Sequence, residues 1–183
     1  MRIYTRAGDS GWTGLVGKAR VSKSHPRISA CGDLDELNCL LGAALAAIPS
    51  RPAFAFLRRS LPRIQGMIFE LGARLATPQS RGHSRHLEAI MSLESEIGRM
   101  EEELPKLKGF ILPGGSAPAI ALHLARAVCR RAERSAAALG AQAPAGTTAY
   151  LNRLSDWLFV AARWANHGAG RKETLWKGAA DGS

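Results

Sequence analysis

Three arginines stand at 126, 130 and 134 in LARAVCRRAERSAAAL, with Glu133 beside them. On a helix this four-residue spacing stacks the guanidinium groups along one side over about three turns. Left unpaired they repel one another, so the stripe calls for anions: a triphosphate, or carboxylates on a neighbouring helix. A solvated basic face is the plainer alternative. A second polar face follows in YLNRLSDWLF, where Asn152, Asp156, Phe159 and Arg163 lie about one helical step from a leucine stripe. Asn and Asp are poor helix-interior residues. They therefore need partners in another element, either a ligand or a buried polar network. Asp35 and Asn38 raise the same question. The third feature is TRAGDSGWTGLVGKARVSK, residues 5–23, with glycines at 8, 11, 14 and 17 and then Lys18, Arg20 and Lys23. Glycine loses the most backbone entropy on folding, so this cluster reads either as a loosely ordered terminus or as backbone closing on phosphate oxygens.

Generic motifs do not narrow this further. A P-loop would need glycine where Trp12 stands and Ser or Thr where Ala19 follows Lys18, and G-x-G-x-x-G is absent. No nucleophile–base pair, Ser-His-Asp set or two-carboxylate acid/base site is visible. Cys31, Cys39 and Cys129 form no C-x-x-C pair, which suits structural thiols in a reducing compartment better than a disulfide or zinc role. His83 and His86 make an H-x-x-H pair without a third ligand nearby, so no metal site is expected. The residues by themselves point to a binder of nucleotide or polyphosphate.

These groups must be carried by helices. Leu34, Leu37, Leu41, Leu45 and Ile48 recur at steps of three and four, with Asp33 and Glu36 as an N-terminal cap pair. Leu57, Leu61, Ile64, Ile68, Leu71 and Leu75 mark a second helix, which Pro62 either kinks or starts. The polar stretch TPQSRGHSR, 77–85, reads as a mobile loop. A third helix carries Leu87, Ile90, Ile97, Met100 and Leu104 opposite an acidic face, and KGFILPGGSAP follows as a short apolar loop. A fourth helix is expected over about Ser116 to Leu139. The fifth, about 147 to 167, has its core stripe at Leu151, Leu154, Leu158, Ala161 and Ala165. The expectation is an all-α, up-down, five-helix bundle. It forms one domain over 1–183, with a nucleotide-binding loop at 1–25, the bundle at 33–167 and a tail at 168–183. The 183 residues are 46% hydrophobic and 22% charged, enough for a core, and no apolar run reaches membrane-spanning length. No secretory or transit segment is apparent, so a soluble cytoplasmic protein is expected. The formal net charge of +10, mostly arginine, favours an anionic partner.

The blocks IYTRAGDSGWTGL, Lys23, GDLDELN, FILPGG, CRRAER and YLNRLSD, in this order from residue 3 to about 176, resemble the ATP:cob(I)alamin adenosyltransferases of the propanediol-utilisation (PduO) type. That resemblance implies a transferase assembled as a homotrimer with sites between subunits. In its reaction the cobalt of cob(I)alamin attacks C5′ of ATP and expels triphosphate, giving adenosylcobalamin. Cobalt is then the nucleophile, so no protein base is needed. The resemblance implies ATP contacts from Thr5, Arg6, Ala7, Gly8, Thr13, Gly14 and Lys23, and from Arg130, Arg131, Glu133, Arg134 and Asn152, with Mg²⁺ carried on the phosphates. It also implies that Asp35 pairs with Arg126 near the site between subunits. Phe110 would close the lower face of the corrin, leaving cobalt four-coordinate and easier to reduce. A reductase and a client mutase become conceivable partners. Cys31 stands where many relatives carry tyrosine, while Trp12 and Ala7 fall at variable loop positions.

Two rivals fit the same charge. A helical nucleic-acid-binding module predicts arginines spread over a broad face with exposed aromatics for stacking, whereas aromatics are 6% and the arginines cluster on one helix. A protein of the same fold that binds nucleotide without turnover is the other.

Overall fold

His25 starts the first helix: its ring Nδ1 accepts the Arg27 N–H at 3.1 Å, and Pro26 occupies the first helical position, where a missing N–H costs nothing. In the computed structural model, which describes residues 3–17, 20–77 and 86–177, α1 therefore spans Pro26–Ala47. The cap expected at Asp33 and Glu36 is not one. RISACG shows little apolar periodicity, so the first two turns of α1 carry no hydrophobic signal. Asp33 and Glu36 instead reach a neighbouring helix. Asp33 accepts Arg131 Nε at 2.9 Å and Ser135 Oγ at 2.5 Å, and Glu36 pairs with the other side of the same guanidinium.

Among the described residues four more α-helices follow: α2 (Ala55–Leu75), α3 (His86–Glu103), α4 (Ala117–Ala137) and α5 (Thr147–Gly168). Short 3₁₀ turns at Pro52–Phe54 and Gly140–Gln142 precede α2 and α5. Pro62 lies inside α2, which sacrifices one helical hydrogen bond there without ending. In α3 the buried residues are Ala89, Leu93 and Met100; Ile90, Ile97 and Leu104 are half-buried, and Leu87 is 69% exposed. The buried face is thus rotated from the expected stripe toward Ala89, Leu93 and Met100. The expected loop at 77–85 lies, from residue 78 on, outside the described residues, as do Lys18, His83 and the tail beyond 177.

The glycine-rich stretch is a small hairpin: β1 (Trp12–Gly14) pairs antiparallel with β2 (Arg20–Ser22), Thr13 opposite Val21. The Val16 N–H donates to the Ala76 carbonyl at 2.9 Å, tying the hairpin to the end of α2.

The helices close into a ring in the order α2, α1, α4, α5, α3. The last gap, between α3 and α2, is bridged by Arg63–Glu96 at 2.6 Å and by Arg99 over the Phe56 ring at 4.9 Å. α4 is central, packing on both α1 and α5. It does so with Ala119, Ala125, Ala132 and Ala136, whose small side chains let neighbouring axes approach. Directions alternate along the chain, so an odd-numbered ring must contain one parallel pair. That pair is α3 and α5. Glu94 binds Arg153, Glu96 accepts the Trp157 indole N–H at 2.8 Å, and Glu103 accepts that of Trp164 at 3.1 Å. The acidic face of α3 is therefore a clamp on α5.

Arg27 locks one end of the ring. It is buried, and it donates to the Leu75 carbonyl at 2.9 Å and the Gln142 carbonyl at 3.0 Å. Arg27→Met leaves both carbonyls unpaired, and the expected loss is about 2–4 kcal/mol. In urea unfolding the midpoint should fall with the slope unchanged; an unaltered midpoint would show that the two bonds carry no net stability.

Candidate active site

A cleft of about 470 Å³ opens between α3, α4 and α5. α4 contributes Arg126 and Arg130, one helical step apart; α5 contributes Arg153, Asp156, Phe159 and Arg163; Glu101 of α3 and Leu107 complete the wall. The four arginines are not equivalent. Arg153 is held by Glu94 at 2.9 Å and Asp156 at 2.7 Å. Arg163, 5% exposed, is held by Glu173 at 2.9 Å and the Pro105 carbonyl at 2.8 Å. Arg126 and Arg130 have no carboxylate among the described residues. The Arg126 guanidinium stands 6.0 Å from the centre of the Phe159 ring, with its Nε buried and without a hydrogen-bond partner. Guanidinium donors that face an open cleft and are not paired with a carboxylate are what a phosphate chain satisfies.

Arg134, the third member of the expected stripe, and Arg131, an expected ATP contact, both lie away from the cleft lining. Arg134 is exposed and does not line the cleft. Arg131 turns to α1, where hydrogen bonding to Asp33, the largest cause, holds the guanidinium more firmly protonated. Glu133 and Asn152 do meet: the Asn152 amide donates to Glu133 Oε1 at 3.0 Å.

The hairpin side is built on backbone. Arg6 sits at φ 61, a rare conformation outside glycine. The Ala7 N–H donates to Thr5 Oγ1 at 3.4 Å, and Arg20 donates to the Ala7 carbonyl at 2.7 Å. Lys23 lays its ammonium across Gly8. A Cβ at that glycine would stand 3.2 Å from Nζ, a tight contact that the lysine side chain would have to shift slightly to accept. Thr13 and Gly14 lie on β1. No hydrogen bond or ion pair among the described residues joins this group to the arginine cleft. Asp35 and Arg126 are also apart within one chain: Asp35 opens onto a hollow of about 270 Å³ between α1 and α2, lined by Cys31, Asn38 and Phe69.

Phe110 projects from the loop after α3, 80% exposed, its ring edge-on to Trp176 at 6.4 Å between centres. The loop is pinned behind it. Asn166 of α5 accepts Ser116 N–H at 2.8 Å and donates to the Gly114 carbonyl at 2.9 Å.

Across most of the chain, residues 3–165, the sequence matches the family model for cobalamin adenosyltransferase. The chain belongs to the cobalamin adenosyltransferase family. A corrinoid adenosyltransferase of Bacillus subtilis is 43% identical over 93% of this chain and 89% of its own length. A cobalamin adenosyltransferase of Cupriavidus metallidurans is 44% identical over 96% and 94%. Variants of a PduO-type ATP:corrinoid adenosyltransferase from Lactobacillus reuteri, each 37% identical, superpose closely. One, solved with ATP, gives a TM-score of 0.89 over 96% of this chain and 100% of that chain; another, solved with cobalamin and ATP, gives 0.90 over 97% and 100%.

Within this cobalamin adenosyltransferase fold, other polar groups do not compete for the chemistry. Burial, reinforced by the Arg126 charge and opposed by a smaller pull from Glu173, pushes the His123 imidazole below its ordinary value, so the ring is neutral at neutral pH. Burial pushes the Cys129 and Cys31 thiols up, away from thiolate reactivity. Among the described residues no cluster of three His, Cys, Asp or Glu stands ready for a metal, and no helix is long and apolar enough to cross a membrane. Sequence reasoning missed Asn166, Glu173 and the division of labour among the arginines. Asn166 sits at the end of the fifth helix beside His167 and Glu173 lies in the polar run RKET, so nothing local singles either out, and nothing local distinguishes Arg130 from Arg131.

Proposed function

We propose that this chain transfers the 5′-deoxyadenosyl group of ATP to the cobalt of cob(I)alamin. The electron pair of reduced cobalt forms the Co–C5′ bond, the C5′–O bond breaks, and triphosphate leaves. The observation that carries this reading is the pair Arg126 and Arg130, which line the cleft and make no ion pair among the described residues, in a chain of this family. The protein's task is then to hold ATP in line and neutralise the leaving group. Arg130, with Glu133, Arg134 and Asn152, contacts ATP from the helical side. Thr5, Arg6, Ala7, Gly8, Thr13, Gly14 and Lys23 contact it from the loop at 1–25. Arg131 acts at one remove, by holding α4 against α1. Mg²⁺ rides on the phosphates; Asp156 is already engaged by Arg153, which suits an ion with few protein ligands.

A homotrimer brings the two halves together, Asp35 of one subunit meeting Arg126 of the next. The separation of the halves within one chain supports this, as do exposed apolar side chains at Phe69, Ile120 and Leu124. A light-scattering mass of one subunit would overturn it. The protein acts in the cytoplasm as one domain, bundle 33–167 and tail 168–183, and receives electrons from a reductase and passes product to a client mutase.

Mixing the protein with ATP, Mg²⁺ and cobalamin kept reduced should give the adenosylcobalamin spectrum and free triphosphate. ATP retained without either product would favour a nucleotide-binding protein without turnover. Phe110 closes the lower corrin face. Phe110→Ala should slow the reaction from cob(II)alamin roughly a hundredfold, with much less damage when cob(I)alamin is supplied; identical losses in both assays would count against the lower-face role.

A further inference from the structure

We propose that Glu173 is a positioning residue for Phe110, acting as the latch that holds a short strand of the tail against the Phe110 loop. The proposal rests on the lower-face reading of Phe110 given above. Residues 110–112 have no helix or sheet of the bundle to rest on. Their backbone partner is the tail: the Leu112 N–H donates to the Thr174 carbonyl at 2.9 Å, the Trp176 N–H donates to the Phe110 carbonyl at 2.8 Å, and Ile111 faces Leu175 in antiparallel register. The same three tail residues bring the Trp176 ring edge-on to Phe110. Phe110 is therefore oriented by a strand that is itself outside the bundle.

What holds that strand is one carboxylate. Both Glu173 oxygens accept from Arg163, at 2.9 Å from Nε and 3.3 Å from Nη2, and the same Nη2 also donates to the Pro105 carbonyl. Arg163 sits on α5, 5% exposed, so the pair fastens the tail to a rigid helix and, through Pro105, to the start of the Phe110 loop. Among the described residues no other side-chain hydrogen bond ties 168–177 to the bundle. The hollow around Glu173, about 380 Å³, is lined by Lys106, Lys108, His167, Arg171 and Lys172. A planar guanidinium fork matched by two carboxylate oxygens fixes direction as well as distance. Gln at 173 offers one acceptor oxygen instead of two and leaves part of a buried guanidinium unmatched.

The test compares wild type, Glu173→Gln, Trp176→Ala and Phe110→Ala as full chains, with cob(II)alamin plus a reduced flavin as electron donor and with cob(I)alamin supplied directly. Glu173→Gln should lose roughly tenfold or more from cob(II)alamin and at most about threefold from cob(I)alamin, with KM for ATP unchanged. Trp176→Ala, exposed and away from the latch, should show the same selectivity in milder form. Amide exchange reads the latch independently of activity. The Leu112 and Trp176 amides should exchange roughly tenfold faster in Glu173→Gln, while the Ser116 amide held by Asn166 stays protected. Equal losses with both corrinoid states, or unchanged exchange at Leu112 and Trp176, overturn the latch. Phe110→Ala showing no cob(II)alamin-selective loss overturns the lower-face reading itself. Phe110→Ala with that loss and Glu173→Gln without it overturns the latch alone.

Discussion

Arg130→Ala should leave the bundle intact and stop the transfer. The side chain makes no ion pair among the described residues and faces the cleft from the exposed side of α4, so its loss should change stability by no more than about 0.5 kcal/mol. On the proposed reading its charge acts when triphosphate departs. Removing one preorganised donor aimed at developing negative charge typically lowers kcat by about 10²–10³. Because the charge on the phosphates grows as the C5′–O bond breaks, kcat should fall further than KM for ATP rises. Arg130→Lys keeps the charge and loses the fork, so it should fall between the two. The adjacent arginine is the control. Arg131 is taken up by Asp33 and Glu36, and Arg131→Ala should lower the melting temperature while a folded fraction keeps more activity than Arg130→Ala. Turnover of Arg130→Ala within about threefold of wild type would mean that the phosphate-facing group has been misassigned.

Gly115→Ala should be the most damaging single-methyl change in the fold. Gly115 has φ +109, where side-chain-bearing residues are strained, and a Cβ there would stand 2.2 Å from Asn166 Oδ1 and 2.6 Å from Cγ and Nδ2. That amide is buried and bonds both Gly114 and Ser116, so it has no room to yield without breaking the turn. Backbone strain plus the lost bonds should total about 3 kcal/mol, a fall in melting temperature of roughly 10 °C for a chain of this size. The steric part depends on Asn166. In an Asn166→Ala background, Gly115→Ala should therefore cost distinctly less, a coupling that a double-mutant cycle measures. A melting temperature within about 2 °C of wild type would refute the close approach. The same turn leads out of the Phe110 loop, so surviving protein should also react poorly from cob(II)alamin.

The features legible in the chain were those that repeat or lie close together. Leu151, Leu154, Leu158, Ala161 and Ala165 form the buried face of α5 as their spacing says, and CRRAER carries its arginines on one helix. The first turns of α1 were illegible because the His25–Pro26 start precedes any apolar repeat. Asp33 and Glu36 have the composition of a cap and serve as anchors for Arg131, a distinction that depends on a helix nearly a hundred residues away. In α3, Ala89, Leu93 and Met100 are buried while Leu87 is exposed, because the helix turns a different face to the core from the one that the bulkiest apolar residues mark.

The sequence by itself determined that this chain forms a helical bundle with a glycine-rich N-terminal segment and an arginine stripe, since periodicity and composition are written within a few turns. Only the tertiary structure decided which charges are free. Arg126, Arg130, Arg131, Arg153 and Arg163 are alike as residues, yet Arg131, Arg153 and Arg163 are neutralised by Asp33, Glu94 and Glu173. A hydrophobic repeat specifies which face of a helix is buried and says nothing about which helix lies against it. The pairing of distant carboxylates with some guanidinium groups, and the exposure of Arg126 and Arg130 to an open cleft, follow from that packing alone.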